Sequence, residues 1–581
     1  MTVFTNSNMK FMNKNLSGFA KKGLVLVLCM GSMLSCKKTF DIQPEDALQQ
    51  SQMYQSIYDA DGVILGIYGQ FVGLADKYVL LNELRGDLLD VTLNSDTYLK
   101  QLSTHTVTPD NPYADPRPFY KVINNCNDAL ANFTVMHQKK LLADPEYYQR
   151  YADIGILRSW MYLQLGIHYG NIPYVTDPIA NVNDLADVSK FPRINFDQLL
   201  DQLIAFTNTI PKQYLDQNTS AASPTLIMAT STYPIRDGVS KFFIHRRSFL
   251  GDLNLWKGNY LIASSYYKDA METASTNVSS SDFSISLYDT YRVGNDNSGR
   301  NTLLTTGTVN PWQNIFSNII GESETSFERM WVLPLDQNYG TNPFINLFSA
   351  SAGYLVKPSA LSIANWDNQL RADGSIGDRR GPNASYKINN GKPEVLKYTA
   401  TYNPLTPLTT KTGIWILYRA ATLHLRYAEA ANLQGRNQLA GALINQGLYT
   451  DLPTKISTYN GVNDTYPFNF DASKGTVNGN WYRNIGIRGR AVDQSVTFDP
   501  ANLVTDTENK IVNEDALEMA YEGYRWADLL RIALRRQTTD PNYLANKIGA
   551  KFDAAGNSSD AAAVRARLAD KANWYLPFKW Q

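Results

Sequence analysis

Cysteine and histidine are both scarce in this chain, with three of the former and five of the latter in 581 residues. Cys29, Cys36 and Cys126 make neither a disulfide framework nor a zinc-ligand spacing. His105, His137, His168, His245 and His424 show no His-Glu-x-x-His or other paired metal spacing. Net charge is missing too: 54 basic side chains face 54 acidic ones. Nothing in that balance offers the basic surface with which a nucleic-acid binder displaces counterions. There is no Gly-x-Ser-x-Gly elbow and no phosphate-binding glycine loop. VGNDNSG (293–299) and DGSIGD (373–378) place oxygen donors in turns, yet fit no calcium-loop template and read as ordinary turns. The apolar run from Gly23 to Leu34 falls well short of the roughly 20 residues a membrane-spanning helix requires.

That short run has another use. Lys21-Lys22 precede it, and it ends Met33-Leu34-Ser35-Cys36, so a positive region, an apolar region of signal-peptide length and a cysteine follow in order. The ending resembles a bacterial lipobox, with Met where Leu is usual. On this reading residues 1–35 are a signal, from Met1, Met9 or Met12. Cys36 becomes a lipidated N-terminus, and residues 36–45 are a tether. Acyl chains in that number hold stably where a single chain is marginal. Loss of Lys10, Lys14, Lys21 and Lys22 leaves the mature chain with a net charge of −4. Cys126, inside YKVINNCNDAL, remains alone as a small apolar residue of a helix.

What the chain has in abundance is aromatic surface, 12% of residues with 35 Tyr and 10 Trp. Apolar positions recur at helical intervals over 51–72, 119–133, 147–170, 239–256, 259–275, 413–434, 437–447 and 511–535. Between these lie Asn-, Gly-, Ser- and Thr-rich stretches at 92–117, 213–235, 276–310 and 448–484, lengths that in a compact protein are usually functional or disordered. Ala263, Tyr267 and Ala270 follow Gly258 and Tyr260 at the spacing of a tetratricopeptide second helix, and Ala440 and Ile444 repeat the idea within 427–448. The expected fold is therefore mainly α: tetratricopeptide-like helix pairs forming a scaffold with long irregular loops, in a single domain over 46–581. Glu518, Glu522, Arg525, Asp528 and Arg531 fall three or four apart and read as an ion-pair ladder on one helix, not as a catalytic pair. Arg158 and Glu429 belong to the same scaffold. WQNIF and IANW read as helix faces, which assigns Trp312 and Trp366 to the core; Trp256 and Trp526 go to the scaffold.

The order of landmarks resembles the SusD/RagB family, surface lipoproteins of Bacteroidetes that capture nutrients for TonB-dependent transporters. The matching stretches are FDIQPEDAL (40–48), FYKVINNCN (119–127), LRSWMYLQLGIHYGNIPYVTDP (157–178), LYRAATLHLRYAEAANLQG (417–435), VNEDALEMAYEGYRWADLLRIA (512–533) and the closing YLPFKW. Asp515 stands where Arg is usual, the terminal motif is altered, and 448–484 is a long insertion.

The resemblance implies a non-catalytic lipoprotein at the outer membrane, without a cofactor, that binds an oligosaccharide and hands it to a SusC-like TonB-dependent transporter. It also implies a ligand site on loops projecting from the helices, among them the loop after the first long helices. There Arg85 offers a forked donor, Asp87 and Asn94 acceptors, and Tyr98 an aromatic platform; Tyr113, Tyr288 and Tyr291 on other long loops are further candidates. Two other readings stay open: capture of peptide instead of glycan, and an anchored glycoside hydrolase, which needs two converging carboxylates.

Overall fold

Ser56 opens helix α1 (Ile57–Val72) through a reciprocal cap: the Asp59 N–H donates to its hydroxyl at 3.3 Å, and its own N–H donates to the Asp59 carboxylate at 2.8 Å. The computed structural model describes residues 53–179, 183, 187–211, 242–272, 311–317, 328–335, 340–406, 411–452, 458–459, 462–470 and 485–578. Cys36, Tyr288 and Tyr291 lie outside the described residues. The short helix α2 (Ala75–Val79) runs into a π-helical turn, Leu80–Leu84. Strand β1 (Leu89–Val91) and helix α3 (Thr97–Thr104) follow. Two long helices, α4 (Arg117–Gln138) and α5 (Asp144–Tyr169), form an antiparallel hairpin. Every residue of α5 from Ala152 to Tyr169 is buried, so this helix is covered on all faces.

Both pairs expected from small-residue spacing, over 246–272 and 420–444, are present, and a further close pair joins them. Helix α6 (Phe196–Thr209) packs on α5 where a Cβ on Gly166 would lie 2.5 Å from the Phe196 ring. Helices α7 (Arg246–Lys257) and α8 (Tyr260–Glu272) meet where Gly251 leaves room for the Tyr267 ring, with Ala263, Tyr267 and Ala270 wholly buried. Phe71, Trp160, Trp331 and Trp415 form an aromatic centre, with ring centroids of Phe71 and Trp415 5.0 Å apart and of Trp160 and Trp331 5.2 Å apart.

Two expected helices are built differently. Residues 413–419 are not the start of a helix but a buried strand, β3 (Gly413–Arg419), antiparallel to β2 (Arg329–Leu335). Its run of Ile414, Trp415, Ile416, Leu417 and Tyr418 suits a strand covered on both faces, and helix α9 (Ala420–Leu433) begins only after Arg419. Helix α10 (Asn437–Ile444) then pairs with it. The span 511–535 is two helices, α11 (Leu503–Glu518) and α12 (Arg525–Arg535), with Tyr521 at φ 71° and Gly523 at φ 93° between them. Helices α13 (Tyr543–Ala554) and α14 (Ser558–Leu568) close the chain's helical order.

The charged ladder is consequently not one helix face. Its members reach across the fold. Five cations, Arg380, Lys397, Arg419, Arg488 and Arg490, meet five carboxylates, Glu328, Asp378, Glu514, Glu518 and Glu522, all buried. Arg419 alone contacts Glu328 at 2.8 Å, Glu518 at 2.7 Å and Glu522 at 2.8 Å. One-for-one balance is what allows so many charges to leave water. Arg531 binds Glu429 at 2.5 Å, and its contact to Asp528 at 3.2 Å is the one local pair of the expected ladder. Arg158 donates to the Asn127 side-chain oxygen at 2.9 Å. No helix among the described residues is, by itself, long and apolar enough to cross a membrane.

Candidate functional site

The segment 92–117, read from sequence as a loop, carries helix α3 and a 3-10 turn, Pro112–Ala114. Asp96 caps α3 by accepting the Leu99 N–H at 2.8 Å. The helix ends at His105, left-handed at φ 58°. Burial pushes the His105 imidazole well below its ordinary pKa, so the ring is neutral and its Nε2–H donates to the Arg85 carbonyl at 2.9 Å. Buried Lys551 braces the helix from α13, donating to Ser103 Oγ at 3.0 Å and to the Leu84 carbonyl at 3.1 Å; burial lowers its pKa to about 8.

The approach to α3 is pinned as well. Strand β1 pairs with Val356–Pro358, the Thr92 hydroxyl donates to the Tyr354 carbonyl at 2.5 Å, and Asn94 Nδ2 donates to the Gly353 carbonyl at 2.9 Å. On the far side buried Asn111 joins helix and turn: its Nδ2 donates to the Tyr98 carbonyl at 2.9 Å and to Gln101 Oε1 at 3.0 Å, and its Oδ1 accepts the Tyr113 N–H at 3.0 Å. The scaffold holds the turn with Lys77 Nζ, 2.8 Å from the Pro112 carbonyl, and the Tyr169 hydroxyl, 2.7 Å from the Ala114 carbonyl.

On this braced base Tyr98 and Tyr113 stand at the surface, joined through Asn111, while Asn94, exposed before α3, is turned to Gly353. The Tyr113 hydroxyl donates to Asp96 at 3.2 Å and the Tyr98 hydroxyl to Asp110 at 3.5 Å. Burial first, and then the Asp96 charge, push the Tyr113 phenol up to about 12, so it remains a donor. Both rings are half-buried, while Leu93, Asn94, Asp96 and Asp110 are exposed. The patch thus presents phenol edges, carboxylate and amide acceptors and an apolar group, the mixture that suits a ring with C–H faces and hydroxyl rims.

Arg85 and Asp87 do not belong to it. Arg85 is buried under α3: Nη1 lies 3.1 Å from His168 Nδ1, Nη2 donates to the Trp574 carbonyl at 2.7 Å, and the guanidinium sits 3.9 Å above Trp526. Burial pulls its pKa down to about 9. Asp87 forms a two-pronged pair with Arg525, at 2.5 and 2.7 Å. Both side chains are consumed by partners from distant segments, and neither faces a ligand. Trp312, Trp366 and Trp526 are buried and Trp256 is half-buried, as assigned. Asp96, Asp110 and Asn111 were missed by sequence reasoning, although SDT and DNPY carry the Asx signals of a cap and a turn.

No group of three or more metal-ligating side chains gathers among the described residues. Glu522 and Asp528 are each engaged by cations, Glu522 by Lys397 at 2.6 Å and Asp528 by Arg426 at 2.5 Å.

Residues 453–579 match the model of the SusD family. The fold recurs in a SusD superfamily protein from Bacteroides thetaiotaomicron, with TM-score 0.54 and 16% identity over 88% of this chain and 97% of that one. A SusD superfamily protein from Bacteroides vulgatus gives TM-score 0.57 and 13% identity over 87% and 92%. A SusD-like carbohydrate binding protein from Bacteroides fragilis gives 0.53 and 14% over 85% and 88%. No curated protein matches the chain. Identities this low speak for the fold alone: the chain has a SusD-like fold, and its segment 453–579 carries the match to the SusD family model.

Proposed function

We propose that this protein is a non-catalytic, surface-exposed lipoprotein that captures an oligosaccharide and delivers it to a SusC-like TonB-dependent transporter in the outer membrane. The observation that carries the reading is the braced Tyr98–Tyr113 patch: two half-buried phenols, each with its hydroxyl on a carboxylate, held by Asn111, Lys77 and Lys551. A sugar ring laid on such a patch gains apolar contact on its face and hydrogen bonds on its rim without ordering a loop. The carbohydrate-binding name of the Bacteroides fragilis relative agrees with this. Cys36 would hold the mature chain to the membrane through its acyl chains, with 36–45 as the tether.

Calorimetry of the chain from Lys37 onward against oligosaccharides and peptides, with product analysis of the same mixtures, tests the reading. Glycan binding without cleavage supports it. Cleavage overturns the non-catalytic role, and binding of peptides alone overturns the ligand class.

A further inference from the structure

The charge at the rim of the patch narrows the ligand class. Asp96 is exposed and forms no ion pair among the described residues; its carboxylate accepts the Leu99 N–H and the Tyr113 hydroxyl. An ionised carboxylate has about four acceptor positions, so Asp96 keeps capacity for hydroxyl donors arriving from solvent. Other charges nearby are accounted for differently. Asp115 pairs with Arg117 at 2.9 Å, Asp90 lies opposite Lys357 across the strand pair, and Lys77 is spent on the Pro112 and Asp115 carbonyls. Asp76 binds the Lys77 N–H at 2.7 Å and adds a second negative charge behind Tyr113. Lys100 is the exposed cation of α3. It follows Tyr98 by two residues, about 200° around the helix, and so flanks the opposite side.

We infer that Asp96 is a specificity-determining residue that biases this patch toward uncharged or cationic glycans and against uronate-bearing ones. The inference rests on the glycan-capture reading and adds the sign of the ligand's charge to it. A sugar carboxylate seated on Tyr113 would face Asp96 at a few ångströms through water, where two like charges at about 5 Å weaken binding about fourfold.

The test uses Asp96→Asn, because asparagine caps a helix as well as aspartate and the hydroxyl acceptor survives. Neutral gluco-, manno- and xylo-oligosaccharides, oligogalacturonate and glucosamine oligomers are titrated against wild type and variant at low salt. Wild type should prefer neutral oligomers. Relative to neutral oligomers measured on the same protein, the variant should gain about fourfold toward oligogalacturonate and lose correspondingly toward glucosamine oligomers, and the contrast should fade in 0.5 M salt. A wild type that prefers oligogalacturonate, or a variant with no gain toward it, overturns the inference and leaves glycan capture standing. Failure of every oligosaccharide to bind overturns glycan capture itself.

Discussion

Glu83 caps a helix that lies 440 residues further along the chain. One oxygen of its carboxylate accepts the Gly523 N–H at 2.7 Å and the Tyr524 N–H at 3.0 Å, at the start of α12. Burial raises its pKa to about 7, against the pull of those backbone donors. A carboxylate raised in the folded state contributes stability that is complete below about pH 4.5 and is lost as pH climbs through 7. Replacing Glu83 with Gln keeps an acceptor and removes the titration. Urea unfolding at pH 5 and pH 8 should therefore show the variant gaining on wild type by about 2.5 kcal/mol across that interval. A difference that does not move with pH sinks the assignment.

Gly523 permits the break between α11 and α12. Its φ of 93° is in the left-handed region, and a Cβ there would enter the ring of Tyr78. Gly523→Ala should lower stability by roughly 2–5 kcal/mol, since backbone strain and overpacking add. The denaturant midpoint reports it directly; a shift under about 0.5 kcal/mol would contradict the crowding.

Arg419 holds three carboxylates at once. Arg419→Met leaves Glu328, Glu518 and Glu522 short of a cation inside the protein, which should cost about 3–5 kcal/mol near neutral pH. The deficit should shrink toward pH 5, because an orphaned buried carboxylate takes up a proton more readily than a paired one. Equal losses at both pH values would mean that packing, not charge, is what the arginine supplies.

Tyr98→Ala and Tyr113→Ala should each weaken glycan binding at least tenfold, as truncation of a central aromatic contact does, with small changes in unfolding midpoint. Tyr58 on α1 is 74% exposed and serves as the control: Tyr58→Ala should leave binding untouched. A binding loss shared by all three points to a general effect of surface tyrosines.

Much of the scaffold was legible because α4 and α5 repeat their apolar residues at helical period and are long enough for the period to speak. The short elements were not. Ile414 to Tyr418 is apolar at every position, so periodicity cannot separate a buried strand from a buried helix. The break after Glu518 hides among good helix formers, with Gly523 its single local signal. At the candidate site, Asn94, Tyr98 and Tyr113 could be named from residue type, and the structure places all three at the surface of one segment. Arg85 and Asp87 looked the same but are buried, because the partners that draw them inward, His168, Trp574 and Arg525, stand 83, 489 and 438 residues away. Local sequence carries no trace of such distances.

The hydrogen bond from Arg85 to the Trp574 carbonyl has a consequence in time as well as space. The Arg85 backbone receives His105, the residue that caps the end of α3, while its guanidinium waits for a carbonyl 489 residues later. The platform's underside is thus completed only when the chain's final segment arrives and threads its backbone beneath it. Contacts of this sequence separation make folding slow and late to commit. During synthesis from its amino end, such a chain is almost wholly made before Arg85 acquires this partner.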